Sequence, residues 1–277
     1  MEYIKLNNGV EMPVLGLGTF KSVGYECKNA VSFALQNGYS LIDTAQAYQN
    51  EEQVGAGIKE SGVGRENVFI VTKVNFKSYE NAAEVVCSSL SKLGTDYLDM
   101  VLLHWPFGNY YAAYRELEKL YEEGKIRAIG VSNFAPDRLI DLIHFNKVKP
   151  AVNQTETHLY CQRQSDMSWE EKYGVAHMSY APLGQNRANE MFDEKSVKEL
   201  AEKYGKTPAQ ILLKANLQSG AVVIPKSVNF SRIKENIDLF DFELAQDEIS
   251  LLRTLDKNAP MIGNPQSPEK TETAMGW

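Results

Sequence analysis

Met100-Val101-Leu102-Leu103-His104 is a run of four apolar residues closed by a titratable one. A strand with one solvated face alternates apolar and polar residues. An unbroken apolar run of this length is covered on both faces, as in a parallel sheet flanked by helices. Val222-Val223-Ile224 repeats the pattern near the other end of the chain. Working outward from these two, eight short runs read as strands, at residues 14–18, 40–43, 68–74, 98–104, 126–132, 151–154, 175–180 and 221–226. An amphipathic stretch of helical length follows each of them: 25–37, 51–61, 80–93, 112–123, 137–145, 163–173, a double segment at 194–204 and 208–218, and 231–240. Gly205-Lys206-Thr207-Pro208 splits the double segment, with Thr207 placed to cap the second helix and Pro208 at its first position. A further helix is expected at 245–255.

Eight β-α units without a break in composition predict an α/β chain forming one domain over residues 1–277, a single (β/α)8 TIM barrel. Asn7-Asn8-Gly9 between residues 3–6 and 10–12 adds an N-terminal β-hairpin. The C-terminal stretch 258–277 holds Pro260, Gly263, Pro265 and Pro268 and reads as an irregular tail over the barrel mouth.

Composition narrows the function. The 277 residues are 43% hydrophobic and 23% charged, the mix of a soluble globular protein. The formal net charge of -7 disfavours nucleic acid as a general partner. Cys27, Cys87 and Cys161 are odd in number and form no paired motif, which fits a reducing cytosol and a cytoplasmic location. The first residues lack the basic-then-apolar pattern of a signal peptide, and no apolar stretch has membrane-spanning length. The four histidines show no H-x-H or H-E-x-x-H spacing, so no metal is expected. G-x-G-x-x-G and Walker motifs are absent too.

In barrels of this kind chemistry sits at the C-terminal ends of the strands. Those ends are polar here although the strand interiors are apolar. They carry Thr19 and Phe20, Asp43, Lys73, His104 followed by Trp105, Ser132-Asn133, Asn153-Gln154, Tyr180, and Lys226-Ser227. Taken singly, each has an ordinary structural role: an ion pair, a packed imidazole, a surface phenol. Asp43, Lys73 and His104, however, close three consecutive strands spaced ~4.8 Å apart, with Tyr48 in the loop after the first. That group suits a general acid that protonates a carbonyl oxygen as hydride reaches the carbon. In this reading the Lys73 ammonium lowers the Tyr48 pKa, Asp43 orients Lys73, and His104 orients the carbonyl. Lys226, Ser227 and Arg232, after the last strand and at a helix start, suit a phosphate.

Several longer motifs carry a resemblance. They are Leu15-Gly16-Leu17-Gly18-Thr19-Phe20, Ile42-Asp43-Thr44-Ala45 with Tyr48, Asn50 and Glu51, and Leu93-Gly94-x-Asp96-Tyr97-Leu98-Asp99. Leu103-His104-Trp105-Pro106, the segment from Gly124-Lys125-Ile126-Arg127 to Ser132-Asn133-Phe134, Ala151-Val152-Asn153-Gln154, Ala181-Pro182-Leu183-Gly184 and Ile224-Pro225-Lys226-Ser227 follow. Over essentially its whole length the chain resembles the aldo-keto reductases, in particular the short bacterial members similar to diketogulonate reductases.

The resemblance implies a catalytic tetrad of Asp43, Tyr48, Lys73 and His104, with Tyr48 as proton donor. It implies NADPH as cofactor, its carboxamide held by Ser132, Asn133 and Gln154, and Tyr180 stacked on its ring. It also implies a 2′-phosphate on Lys226, Ser227 and Arg232, and adenine beside Glu235 and Asn236. Thr19, Phe20, Asp43, Pro182 and Leu183 complete the implied cofactor set. Phe20, Tyr48, His104 and Trp105 are the expected substrate contacts, with Phe107, Tyr110, Tyr111 and Trp277 as further candidates for the mouth. Phe20 stands where many members have tryptophan, Lys214-Ala215-Asn216 replaces a usual Arg-Trp, and Leu159 replaces a common proline. The expected function is NADPH-dependent reduction of a small aldehyde or ketone by a monomer. The alternative is an NADP-binding sensor without significant turnover.

Overall fold

A computed structural model describes residues 1–276. A hairpin of β1 (Tyr3–Lys5) and β2 (Glu11–Pro13) opens the chain. Eight parallel strands follow: β3 (Leu17–Gly18), β4 (Leu41–Asp43), β5 (Phe69–Val74), β6 (Met100–Leu103), β7 (Ile129–Ser132), β8 (Val152–Glu156), β9 (Ala176–Tyr180) and β10 (Val222–Val223). Each pairs with the next in sequence, from β3–β4 to β9–β10. Parallel bridges Leu15↔Val223 and Gly18↔Lys226 close the last strand on the first. Gly16 N donates to Val223 O at 2.9 Å and Val223 N to Val14 O at 2.9 Å across that seam.

The helices are α1 (Gly24–Gln36), α2 (Glu51–Ser61), α3 (Ala82–Leu93), α4 (Tyr110–Glu122), α5 (Pro136–Phe145), α6 (Gln164–Tyr173), α7 (Ala188–Phe192), α8 (Lys195–Tyr204), α9 (Pro208–Gln218), α10 (Phe230–Ile237), α11 (Gln246–Arg253) and α12 (Pro268–Met275). Thr207 and Gln210 form a capping box at the start of α9, where Pro208 takes the first turn.

Strand periodicity separates two cores. Leu41, Phe69, Val71, Met100, Leu102, Val152, Met178, Val222 and Ile224 pack together inside the barrel, with Leu6 and Met12 of the hairpin segment among them. Ile42, Ile70, Val101, Leu103, Ile129 and Val223 belong to the outer cluster under the helices. Counting two residues on from Leu41, Val71, Leu102, Val152, Met178 and Ile224 gives Asp43, Lys73, His104, Gln154, Tyr180 and Lys226. The inward parity that fills the barrel with apolar side chains therefore delivers polar ones to its mouth.

Three expectations need correction. The first and last barrel strands are shorter than expected, because Pro225 has no N–H to continue the ladder and single bridges replace it. β8 runs on to Glu156, in register with Tyr180, past the expected end at Gln154. The tail is not wholly irregular: α12 forms there, with Ser267 Oγ capping Lys270 N at 3.0 Å and Pro268 in the first turn. Only Ala274 of that helix is buried, so apolar periodicity gives no sign of it.

The seam constrains glycine. A Cβ on Gly18 would stand 2.8 Å from the carbonyl oxygen of Ile224, in backbone that cannot swing aside. Gly18→Ala is expected to destabilise the fold by about 1–3 kcal/mol, read as a lower urea midpoint at unchanged slope.

Candidate active site

Asp43 and Lys73 reach the mouth from β4 and β5, and both are almost fully buried. Lys73 Nζ donates to Asp43 Oδ1 and Oδ2, both at 2.7 Å, to Thr44 O at 2.8 Å, and toward the Tyr48 hydroxyl at 3.4 Å. Tyr48 closes a short 3-10 turn, Gln46–Tyr48, after β4. Asn50 fixes that loop: its Oδ1 accepts from Thr44 Oγ1 at 2.7 Å, and its Nδ2 donates to the carbonyls of Thr19 and Ser22. The Tyr48 ring meets His104 edge-on, with centroids 5.8 Å apart, and Phe20 lies 5.0 Å away on another side. Among the described residues, His104 Nδ1 is buried with no hydrogen-bond partner.

Proton affinities follow from burial. The Tyr48 hydroxyl is pushed well above the usual phenol range, first by desolvation and then by the Asp43 carboxylate. The expectation that Lys73 lowers it is therefore not met: Asp43 takes up the ammonium, and burial itself pulls Lys73 down. His104 is pushed down to about 3 by burial and then by Lys73, leaving a neutral imidazole.

A second group surrounds the first. Gln154 Nε2 crosses the barrel to Asp43 Oδ2 at 2.7 Å. Ser132 Oγ donates to Gln154 O at 2.8 Å. Asn133, held at φ +66° just after β7, donates from Nδ2 to His104 O at 3.1 Å and accepts the Tyr180 hydroxyl at 2.8 Å. A third group stands at the start of α10. Lys226 and Arg232 are exposed, Ser227 and Asn236 are buried, and Asn229 Oδ1 caps the helix by accepting Arg232 N at 3.1 Å. Glu235 accepts from Thr207 Oγ1 at 2.6 Å.

One cavity of about 800 Å³ joins the three groups. Its wall includes Phe20, Asp43, Tyr48, His104, Trp105, Ser132, Asn133, Gln154, Tyr180, Pro182, Leu183, Lys226, Ser227, Arg232, Glu235 and Asn236. Lys73 lies beneath this surface. Thr19 is also behind it, with its hydroxyl donated to Asp43 O at 2.9 Å. Phe107 backs the wall by stacking on Trp105 at 5.7 Å, and Tyr110 and Tyr111 pack against the outer core, so none of the three lines the mouth. Trp277 lies outside the described residues.

The family model of the aldo/keto reductases matches residues 14–257. The chain belongs to the aldo/keto reductase family. It is 44% identical over 266 residues to the glyoxal reductase of Bacillus subtilis (strain 168), covering 95% of each chain. It is 42% identical over 265 residues to the methylglyoxal reductase DkgA of Escherichia coli (strain K12), covering 95% of this chain and 96% of that protein. Its structure matches an aldo-keto reductase enzyme from a Medee basin deep-sea metagenome library with a TM-score of 0.94 and 40% identity, covering 95% of this chain and 98% of that one. It matches the Bombyx mori aldo-keto reductase in complex with NADP with a TM-score of 0.89 and 34% identity, covering 95% of each chain.

Sequence reading missed part of this family member's cavity wall, namely Asn75, Phe76, Gln185, Asn186, Asn189, Phe192 and Ile262. Gln185 and Asn186 follow Ala181-Pro182-Leu183-Gly184 directly, and two amides after a strand-end motif are a signal that could have found them. Ile262 carries none. Away from the cavity, Thr157 Oγ1, His177 and Glu170 are linked at 2.7 and 2.6 Å in the order of a hydrolytic triad. All three are buried and off the cavity wall, where with Asn153 they bind α6 to the barrel. Lys214, the departure in α9, is buried with Nζ 5.6 Å above the Phe242 ring.

Proposed function

We propose that this protein reduces the carbonyl group of small aldehydes and ketones to an alcohol, with NADPH as hydride source and Tyr48 as proton donor. The observation that carries the reading is the Lys73 ammonium, held by both oxygens of Asp43 and 3.4 Å from the Tyr48 hydroxyl on the wall of a large cavity. The wall fits the cofactor at both ends. Lys226 and Arg232 stand exposed beside the first turn of α10, where a phosphate dianion gains from two cations and the helix N-terminus. The side-chain amides of Asn133 and Gln154 stand at the tetrad end, where a carboxamide needs donors and acceptors. Bound NADPH supplies hydride to the carbonyl carbon.

The chain's own groups handle the proton. Tyr48 keeps its proton across the ordinary pH range because burial and the neighbouring Asp43 carboxylate disfavour phenolate. As that proton passes to the carbonyl oxygen, the growing negative charge on Tyr48 Oη is met by Lys73, whose position Asp43 and Thr44 already fix. His104, neutral and partly facing the cavity, is placed to donate an N–H to the same oxygen and set its orientation. Phe20 and Trp105 give the reacting carbon an apolar surround. The relatives named glyoxal and methylglyoxal reductase point to small α-dicarbonyls as the first substrates to try. Steady-state turnover of such a dicarbonyl with NADPH tests the reading.

The histidine carries a pH prediction. Its folded pKa of about 3 lies below the ordinary 6.5. The unfolded chain therefore takes up the proton first, and the site costs stability as pH falls from 6.5 toward 3, with no cost above 6.5. The Tm of the wild type is expected to fall more steeply across that window than the Tm of His104→Gln. Likewise, kcat/KM for reduction is expected to show no inflection near pH 6.5. An inflection there that disappears in His104→Gln would mean that the imidazole titrates as a cation.

A further inference from the structure

The barrel mouth holds a buried carboxylate that the proton-transfer scheme does not use. Glu156, the last residue of β8, is 1% exposed. Its Oε1 accepts from Met261 N at 2.5 Å and Ile262 N at 3.1 Å, and its Oε2 also lies 3.1 Å from Ile262 N. His158 Nε2 stands 3.0 Å from Oε1. Backbone N–H groups on an ionised carboxylate make hydrogen bonds roughly twice as strong as neutral ones.

The peptide held in this way is where the C-terminal segment meets the cavity. Met261 packs against the β9–α7 loop, where a Cβ on Gly184 would stand 3.0 Å from Met261 Sδ. Ile262 faces the cavity itself. Further on, Lys270 Nζ lies 5.4 Å from the centre of the Trp105 ring. The same segment is also tied down upstream, where Tyr160 O accepts from Lys257 N at 3.1 Å and Ala259 N at 3.0 Å. Those upstream bonds attach the segment independently of Glu156, whereas the bonds to Met261 and Ile262 themselves are made by Glu156.

We propose that Glu156 is a positioning residue for the reaction: its carboxylate clamps the Met261–Ile262 peptide and so fixes the C-terminal segment as one wall of the cavity. The claim rests on the carbonyl-reductase reading of that cavity. It assigns to Glu156 substrate fit, and to the tetrad the chemical step.

The test is Glu156→Gln, which keeps the volume and removes the charge. Amide hydrogen exchange is measured residue by residue without substrate. KM and kcat are then measured with NADPH for a small dicarbonyl and for a bulky aromatic aldehyde. Exchange at Met261 and Ile262 is expected to rise roughly five- to tenfold, the difference between a bond to a charged acceptor and one to the neutral amide oxygen that replaces it, with Lys257 and Ala259 unchanged. KM is expected to shift for both substrates while kcat stays within about twofold, the mark of lost uniform binding. Unchanged exchange at Met261 and Ile262, a fall in kcat at constant KM, or failure of Glu156→Gln to fold would each overturn the proposal. Failure of the carbonyl-reductase reading shows itself separately, as a wild type without turnover whose exchange at these amides still responds to Glu156→Gln.

Discussion

Tyr48→Phe is expected to lower kcat for carbonyl reduction by about 10²- to 10⁴-fold, the range that a positioned general acid contributes. The substitution removes one oxygen and little else. Lys73 keeps its bonds to both Asp43 oxygens and to Thr44 O, so the buried ion pair stays satisfied and the fold is retained. The ring contacts with Phe20 and His104 do not need the hydroxyl. NADPH affinity should therefore stay near the wild-type value while turnover collapses, a separation readable by equilibrium titration beside steady-state kinetics. A variant that keeps kcat within tenfold would remove Tyr48 from the role of donor.

Lys226→Glu is expected to weaken NADPH roughly a hundredfold and NADH by only a few-fold. NADPH alone carries the 2′-phosphate, and a bond between charged groups is worth about 1.5–3 kcal/mol before the new repulsion is added. Lys226 is exposed, and its neighbours Ser227 and Arg232 share the cavity wall, so the change alters charge without disturbing a packed core. Equal losses for both cofactors would mean that the phosphate binds elsewhere.

The strand ends were legible because one rule governs them. Inward positions alternate along each strand, so Asp43 follows Leu41, Lys73 follows Val71, and His104 follows Leu102, and all three converge once the barrel closes. What was illegible depends on groups far apart in sequence. The direction of the Tyr48 shift is set by burial and by the Asp43 carboxylate, and the ammonium expected to oppose it is held by Asp43. Thr19 sits in a motif beside the site yet spends its hydroxyl on the Asp43 carbonyl. The neighbouring aromatics Phe107, Tyr110 and Tyr111 do not announce in sequence which face each serves; in the structure Phe107 supports the wall from behind, and Tyr110 and Tyr111 pack against the outer core. Glu156 lies two residues past the strand end expected at Gln154, and no motif marks it. Its meaning depends on a partner more than a hundred residues later, in a segment whose helix has no apolar stripe to announce it.

The most direct test of the central claim is NADPH consumption by the purified wild-type protein with a small α-dicarbonyl, followed by its absorbance, beside a control without carbonyl compound. The account predicts carbonyl-dependent loss of NADPH with formation of the corresponding alcohol in equal amount. Tight NADPH binding with no turnover of dicarbonyls, aldehydes or keto-sugars would contradict it and make the protein a nucleotide-binding sensor built on a reductase barrel.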